Sequence, residues 1–169
     1  TRRGQLDDTL RLVAEVLREP AFPQAEFEEM RRAALTGAEA QRGDPSAIAG
    51  ERLSLHLSPW PSGHWNHVET LDQRIAGIKA VTLDEVKRCY TDFVGATGAQ
   101  FVAVGDFDPD ALAKQVEELF GGWKNPAPYA RIPSRHFEQP AIDQTVATPD
   151  KANAVLRAGM NLPLRDDHP

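Results

Sequence analysis

The sequence has one cysteine, no long apolar run and no excess of basic residues, and each of these absences excludes a class of protein. Cys89 has no second cysteine to pair with, so an internal disulfide is excluded. No apolar stretch approaches the roughly 20 residues that cross a bilayer. The net charge is −6, and acidic and basic residues alternate along the chain. We therefore expect no nucleic-acid partner, because phosphate binding needs clustered Lys and Arg.

The first residues, TRRG, are charged and lack the apolar stretch of a signal peptide. A helical pattern follows them directly. We expect the chain to be a piece of a longer protein, in which any targeting sequence lies further upstream.

Apolar spacing and capping residues predict six helices. Leu6, Leu10, Val13 and Leu17 recur at the spacing of an amphipathic helix. Capping signals predict where four of the later helices begin: Asp44-Pro45, Thr70, Thr82 and Asp108-Pro109. The predicted helices cover roughly residues 6–17, 22–42, 45–56, 70–78, 82–93 and 108–120. Cys89 lies within the apolar pattern of the fifth helix, which favours a buried thiol.

Three segments are typical of strands. Residues 99–104 are short, β-branched and aromatic, and glycines bound them. Residues 142–147 and 154–160 flank the turn-rich segment 148–151, which predicts a hairpin. With helices early and strands late, the order predicts an α+β fold, with helices on one face of a mostly antiparallel sheet.

The strands are few for so many helices. We expect further strands of the sheet before Thr1 or after Pro169, so that the fold is truncated at both ends and leaves an unpaired edge. Such an edge predicts self-association. The predicted organisation is a helical part with the central strand (1–125), an extended proline-rich connection (126–140), and a hairpin that completes the sheet or begins the next unit (141–169).

Short motifs follow one another in a fixed order along the chain. They are LREPAF (17–22), DP (44–45), AVTLDEV (80–86), FVGA (93–96), VAVGDFD (102–108) and GWKNPAP (122–128). In order and spacing they resemble the insulinase and pitrilysin-type zinc metallopeptidases, and the similarity covers roughly residues 6 to 165. The resemblance depends on the order and spacing of these motifs taken together.

The resemblance implies repeated α+β units that pair around a chamber, one of which carries zinc. Its zinc motif is H-x-x-E-H, with a further glutamate downstream as third ligand, which leaves one coordination position open for water. None of the five histidines begins this motif or the reversed H-E-x-x-H. The downstream glutamate falls in the second helix, where Gly37 and Ala38 stand. Glu39 is the nearest carboxylate. It becomes the ligand only if the alignment of this helix with the family's pattern shifts by one or two residues.

The other candidate site residues have structural interpretations beside the functional ones. His64, His67 and Glu69 form a local cluster that invites a metal assignment, but they lie in a Pro-Gly loop. Asp106 and Asp108 are explained as a turn acid and a helix N-cap.

Arg157, on a predicted late strand, is a substrate contact by resemblance, since this family holds peptides with basic groups of the non-catalytic unit. It is equally a solvent-facing strand residue. We therefore predict no catalytic and no metal-binding residue in this chain, and name Arg157 as the substrate contact.

The leading hypothesis is a non-catalytic, substrate-chamber unit of a zinc metallopeptidase, inactive alone. Its partners are then a paired catalytic unit, in the same parent chain or a partner subunit, and a peptide substrate; the zinc belongs to the parent enzyme or the partner unit. A second hypothesis places the chain within a catalytic unit whose H-x-x-E-H lies upstream of Thr1. A third makes it a core subunit of a non-peptidase assembly. The residues do not fix the compartment, and a periplasmic or secreted parent is implied by the resemblance only.

Overall fold

The computed structural model describes residues 2–132 and 135–164. Within them, six α-helices provide the regular structure, and short 3-10 turns at Arg3–Gln5 and Gln41–Gly43 precede α1 and follow α2. The helices are α1 (Leu6–Arg18), α2 (Gln24–Ala40), α3 (Pro45–Leu57), α4 (Leu71–Ala80), α5 (Leu83–Phe93) and α6 (Pro109–Phe120). No helix in this part of the chain is long and apolar enough to cross a membrane.

The predicted helix starts are confirmed, because their caps form. The side chains of Asp44 and Asp108 accept backbone N–H groups of α3 and α6, each followed by proline in the first turn. Thr70 and Thr82 each form a complete capping box, with Gln73 and Glu85 respectively. Local side-chain chemistry therefore sets where four of the six helices begin.

The predicted α+β fold class is wrong. The described part of the chain is helical, at 51% helix, and contains no strand and no sheet. Residues 99–104, 142–147 and 154–160 are irregular, and Val102 and Val104 expose 82% and 96% of their surface. A β-branched segment becomes a strand only when a neighbouring backbone completes its hydrogen bonds, and no ladder forms in the described residues.

The predicted hairpin is also wrong, although its turn is present. Lys151 N–H donates to the carbonyl oxygen of Thr148 at 3.0 Å, as the turn-rich segment predicts. The flanking segments do not pair as strands, so the turn closes no ladder. The described residues contain no sheet and therefore no sheet edge. The prediction of self-association, which depended on such an edge, has no support from this part of the chain.

Chain contacts divide the protein into two compact units. The first unit comprises residues 1–27 and 82–130, and the second comprises residues 28–81 and 131–169. The division falls within α2. The predicted division at 126–140 stays a prediction.

In the first unit, α1 packs against α6. Leu10 and Ala14 of α1 and Leu112 of α6 are buried, with 5–7% of their surface exposed. The buried amide of Gln115 donates from Nε2 to the carbonyl oxygen of Asp7 at 3.0 Å, which satisfies a polar group in this core.

The end of α5 is fixed to the residues that follow α6. Asn125 donates from Nδ2 to the carbonyl oxygen of Phe93 at 2.8 Å, and its Oδ1 accepts Thr97 N–H at 2.9 Å. A Cβ atom on Gly95 would lie 2.6 Å from that Oδ1 and 2.7 Å from the Asn125 nitrogen. This close approach requires a glycine at position 95.

The second unit has a small core around Ala38 of α2 and Ile75 of α4. Glu51 of α3 accepts the backbone N–H of Leu71 at the start of α4, so one helix caps another. Asn161 donates from Nδ2 to the carbonyl oxygen of Leu57 at 2.6 Å, which ties the late irregular segment to α3.

Cys89 is exposed, so the prediction of a buried thiol is wrong. Leu83, Val86 and Tyr90 of α5 are half-buried, whereas Cys89 is not. Successive residues on a helix are rotated by about 100° around its axis. The side chain of Cys89 therefore points about 100° away from that of Tyr90. No residue of α5 is fully buried, so the apolar pattern predicts more burial than the helix has.

Candidate functional site

The position predicted for a third zinc ligand lies on α2, near its C-terminal end. Gly37 is exposed and has no side chain, and Ala38 is turned into the core with 4% of its surface exposed. Neither residue carries a ligand atom. Glu39 is therefore the one carboxylate to consider at positions 37–39.

The carboxylate of Glu39 is engaged in ion pairs. Its Oε2 accepts a hydrogen bond from Nε of Arg42 at 2.5 Å, and Lys79 Nζ of α4 lies 3.9 Å from its Oε1. Arg42 Nη1 also reaches Asp72 Oδ1 at 2.7 Å. The hydrogen bonds to Glu39 and then to Asp72 raise the pKa of the Arg42 guanidinium above its ordinary value. Glu39 thus lies in a network of charges between α2 and α4.

His64 and His67 belong to the irregular segment between α3 and α4. The His64 ring stacks on Trp60 with 3.8 Å between the centroids and 7° between the planes. Nδ1 of His67 lies 2.8 Å from the carbonyl oxygen of Trp60, and its Nε2 is buried with no hydrogen-bond partner among the described residues. Both imidazoles therefore contact Trp60, and they order this loop.

Metal-ligating side chains do not cluster in the described residues. Across positions 2–132 and 135–164, no group of three or more His, Cys, Asp or Glu is placed to hold a metal ion. The candidate set His64, His67 and Glu69 is accordingly not brought together as a three-ligand site, and Glu39 lies in no such group.

Asp106 and Asp108 have separate structural partners in the first unit. Asp106 Oδ1 accepts a hydrogen bond from Nη1 of Arg3 at 2.7 Å. Asp108 Oδ1 accepts the backbone N–H groups of Asp110 and Ala111 at 3.0 and 3.1 Å. The N-cap interpretation of Asp108 is confirmed, and Asp106 lies in a bend as the turn interpretation predicts.

Arg157 lies on the late irregular segment of the second unit and is exposed. Its Nη2 donates to the hydroxyl oxygen of Ser46 at 2.7 Å, in the first turn of α3. The structure shows no acidic partner for this guanidinium among the described residues. Its other N–H groups remain available for carbonyl or carboxylate oxygens.

Sequence analysis did not predict a cavity of about 590 Å³ in the second unit. We call it the Trp60 cavity, and it is lined among others by Leu53, Leu57, Trp60, Arg135, Phe137 and Asn161. These residues come from α3, the loop after it and the late irregular segment. The one feature of the sequence that indicates this cavity is the aromatic residues of proline-rich stretches. These stretches have no periodicity and are therefore predicted as loops.

A comparison with known protein families gives a match. A family model described as the peptidase M16 inactive domain matches residues 80–169, more than half of the chain. No curated protein and no solved structure matches. The match begins at the end of α4 and contains the AVTLDEV and VAVGDFD motifs on which the resemblance depended.

The chain is therefore a non-catalytic unit of the insulinase type. It belongs to the M16 peptidase family, as a member of its inactive-domain group. The resemblance drawn from the sequence is confirmed, and the functional description that follows directly is that of a non-catalytic unit of an M16 peptidase.

Proposed function

We propose that this chain is the structural half of the substrate chamber of a zinc metallopeptidase, which holds peptide while a paired unit cleaves it. The observation that carries the proposal is membership of the inactive-domain family over residues 80–169. It supports the non-catalytic hypothesis over a catalytic unit with an upstream zinc motif. The cleavage assay described below separates it from a core subunit of a non-peptidase assembly.

The chemistry of α2 supports a silent role. Peptidase zinc needs three protein ligands and one open position for water. Gly37 and Ala38 offer no side-chain ligand atom, and the Glu39 carboxylate is ion-paired with Arg42 and Lys79. The zinc ion of the active enzyme would be held by the paired catalytic unit, where it lowers the pKa of bound water.

Exposed apolar side chains support association with that paired unit. Val102 and Val104 of the first unit and Leu156 and Met160 of the second expose between 74% and 96% of their surface. Apolar surface of this kind gains free energy when a partner covers it. These side chains lie in irregular segments, so the contact would be made by loops.

Arg157 is the residue we propose to contact the peptide. Its hydrogen bond to Ser46 fixes the guanidinium at the start of α3 and leaves donors for a peptide carbonyl oxygen. Arginine suits this task because its planar fork of donors is rigid and always charged.

A cleavage assay tests the proposal. A fluorogenic peptide is incubated with zinc and with the chain alone, with an H-x-x-E-H-bearing M16 unit from the same genome alone, or with both. We expect cleavage to rise when the two are combined and to be absent with the chain alone. Chelator-sensitive cleavage by the chain alone would instead make it catalytic. A mixture no faster than the catalytic unit alone would favour a core subunit without a role in peptidolysis.

A further inference from the structure

Five of the ten described residues that line the Trp60 cavity are apolar, and the other five are polar or charged. Leu53 and Leu57 lie four residues apart on α3 and so present their side chains on one face. The ring of Phe137 meets Trp60 edge-on, with 4.9 Å between the centroids and 89° between the planes. His64 stacks on the indole at 3.8 Å, so two neighbours hold Trp60 in place. These contacts hold Trp60 and Phe137 in place without a ligand.

One positive charge stands at this cavity. Arg135 is the one charged residue among the described residues that line it, and its Cζ lies 5.2 Å from the centroid of the Phe137 ring. It is exposed and has no acidic partner among residues 2–132 and 135–164. The arginines Arg3, Arg31 and Arg42, by contrast, are ion-paired. A guanidinium without an acidic partner among the described residues, beside leucine and aromatic side chains, is complementary to an apolar group that ends in a carboxylate.

Asn161 adds a fixed polar atom to the same cavity. Its Nδ2 donates to the carbonyl oxygens of Leu57 and Phe137 at 2.6 and 3.0 Å. Both donor positions of the amide are therefore used, which fixes its orientation. Oδ1 has no hydrogen-bond partner among the described residues and remains an acceptor for an N–H group.

We propose that the Trp60 cavity binds the C-terminal residue of a peptide, with an aromatic or branched apolar side chain between the walls and the α-carboxylate on Arg135. Asn161 Oδ1 accepts the amide N–H of that residue. The ligand combines an apolar body, one N–H donor and one negative charge, which are the three features the cavity complements. The inference rests on the proposed function, since it names the part of a peptide that this unit holds.

The test is a two-dimensional 15N–1H NMR titration of the complete chain. The probes are acetyl-Ala-Ala-Phe with a free carboxylate, the same peptide as its C-terminal amide, and 3-phenylpropanoate. The variants are Arg135→Gln and, as matched control, Arg131→Gln. Arg131 is exposed, precedes Arg135 by four residues and is not among the described residues that line the cavity. Both changes are at exposed positions, so the fold is retained.

We expect the free acid to shift the side-chain resonances of Trp60 and Asn161 and to bind about tenfold more tightly than the amide. Arg135→Gln removes this preference, and Arg131→Gln keeps it. Equal binding of acid and amide, or equal behaviour of the two variants, overturns the proposal. Phenylpropanoate binding as tightly as the peptide also overturns it, because the occupant is then a small carboxylic acid.

Failure here and failure of the proposed function are distinguishable. The titration needs neither zinc nor a catalytic unit, whereas the cleavage assay needs both. If the free acid binds no more tightly than the amide but the mixture still cleaves peptide, only the proposed C-terminal subsite is contradicted. If the free acid binds more tightly but the mixture does not cleave peptide, only the proposed role in peptidolysis is contradicted.

Discussion

Glu39, near the end of α2, and Arg42, in the 3-10 turn that follows it, form an ion pair with 2.5 Å between Oε2 and Nε. The same guanidinium reaches Asp72 of α4 at 2.7 Å. The carboxylate nearest to the predicted zinc-ligand position therefore helps to join two helices.

Replacing Glu39 by glutamine tests that assignment. We expect a small loss of stability in urea unfolding, since exposed ion pairs contribute little. Arg42→Gln should cost more, because it breaks the pairs with both Glu39 and Asp72. Both losses should shrink in 1 M NaCl, where the Debye length is about 3 Å. A loss for Glu39→Gln that equals or exceeds that for Arg42→Gln, or that persists in high salt, contradicts the ion-pair role.

The two capping boxes should respond differently to acid. Hydrogen bonds from the backbone and then the side chain of Thr82 lower the pKa of Glu85 below its ordinary value of 4.5. A lowered folded-state pKa stabilises the fold above the unfolded-state value, and this contribution is lost as pH falls through the folded-state pKa. The box at Thr70 uses Gln73, which does not titrate.

Thr82→Ala and Thr70→Ala measure this difference by thermal unfolding between pH 3 and pH 7. We expect each to cost about 1 kcal/mol at pH 7, as lost N-caps do. At pH 3 the cost of Thr82→Ala should fall, while that of Thr70→Ala should not change. Parallel pH curves for the two variants would show that Glu85 ionisation contributes nothing to its cap.

Glycine substitutions should have opposite effects at two kinds of position. Gly95→Ala places a Cβ 2.6 Å from Asn125 Oδ1 and should destabilise by about 1–3 kcal/mol. Gly37 and Gly77 lie exposed within α2 and α4, and a Cβ atom added at either position would meet no neighbouring atom within 4 Å. Alanine at each of these helical positions should therefore stabilise by about 0.5–1 kcal/mol. Urea unfolding of the three variants is the measurement. Stabilisation by Gly95→Ala would mean that the Asn125 contact does not form.

Arg157 should affect substrate binding more than turnover. In the mixture with the catalytic unit, Arg157→Gln should raise KM for a peptide about tenfold and leave kcat nearly unchanged. Ser46→Ala, which removes the hydroxyl that holds Arg157, should raise KM by less. Arg52→Gln, at an exposed position of α3, is the control. Equal kinetics for Arg157→Gln and Arg52→Gln would leave Arg157 as an ordinary surface residue.

The sequence predicted those parts of the fold that depend on neighbouring residues. Asp44, Thr70, Thr82 and Asp108 cap helices through contacts two or three positions away, so their pattern is readable along the chain. The prediction of a strand at 99–104 was wrong because strand formation depends on pairing with a distant backbone, which local propensity does not report.

The site was less predictable for the same reason. The Trp60 cavity needs α3, Phe137 and Asn161 to meet, and no periodicity relates these segments. The assignment of Arg157 came from a family resemblance, and its anchor on Ser46 became visible only in three dimensions. The absence of an H-x-x-E-H motif, in contrast, is a property of the sequence itself.

Zinc binding tests the central claim most directly. Isothermal titration calorimetry of the complete chain with Zn²⁺ at pH 7 should show no one-to-one binding tighter than about 1 μM. A Glu39→Gln chain should give the same trace as the unaltered one. Tight one-to-one binding that Glu39→Gln abolishes would contradict the assignment of this chain as a non-catalytic unit.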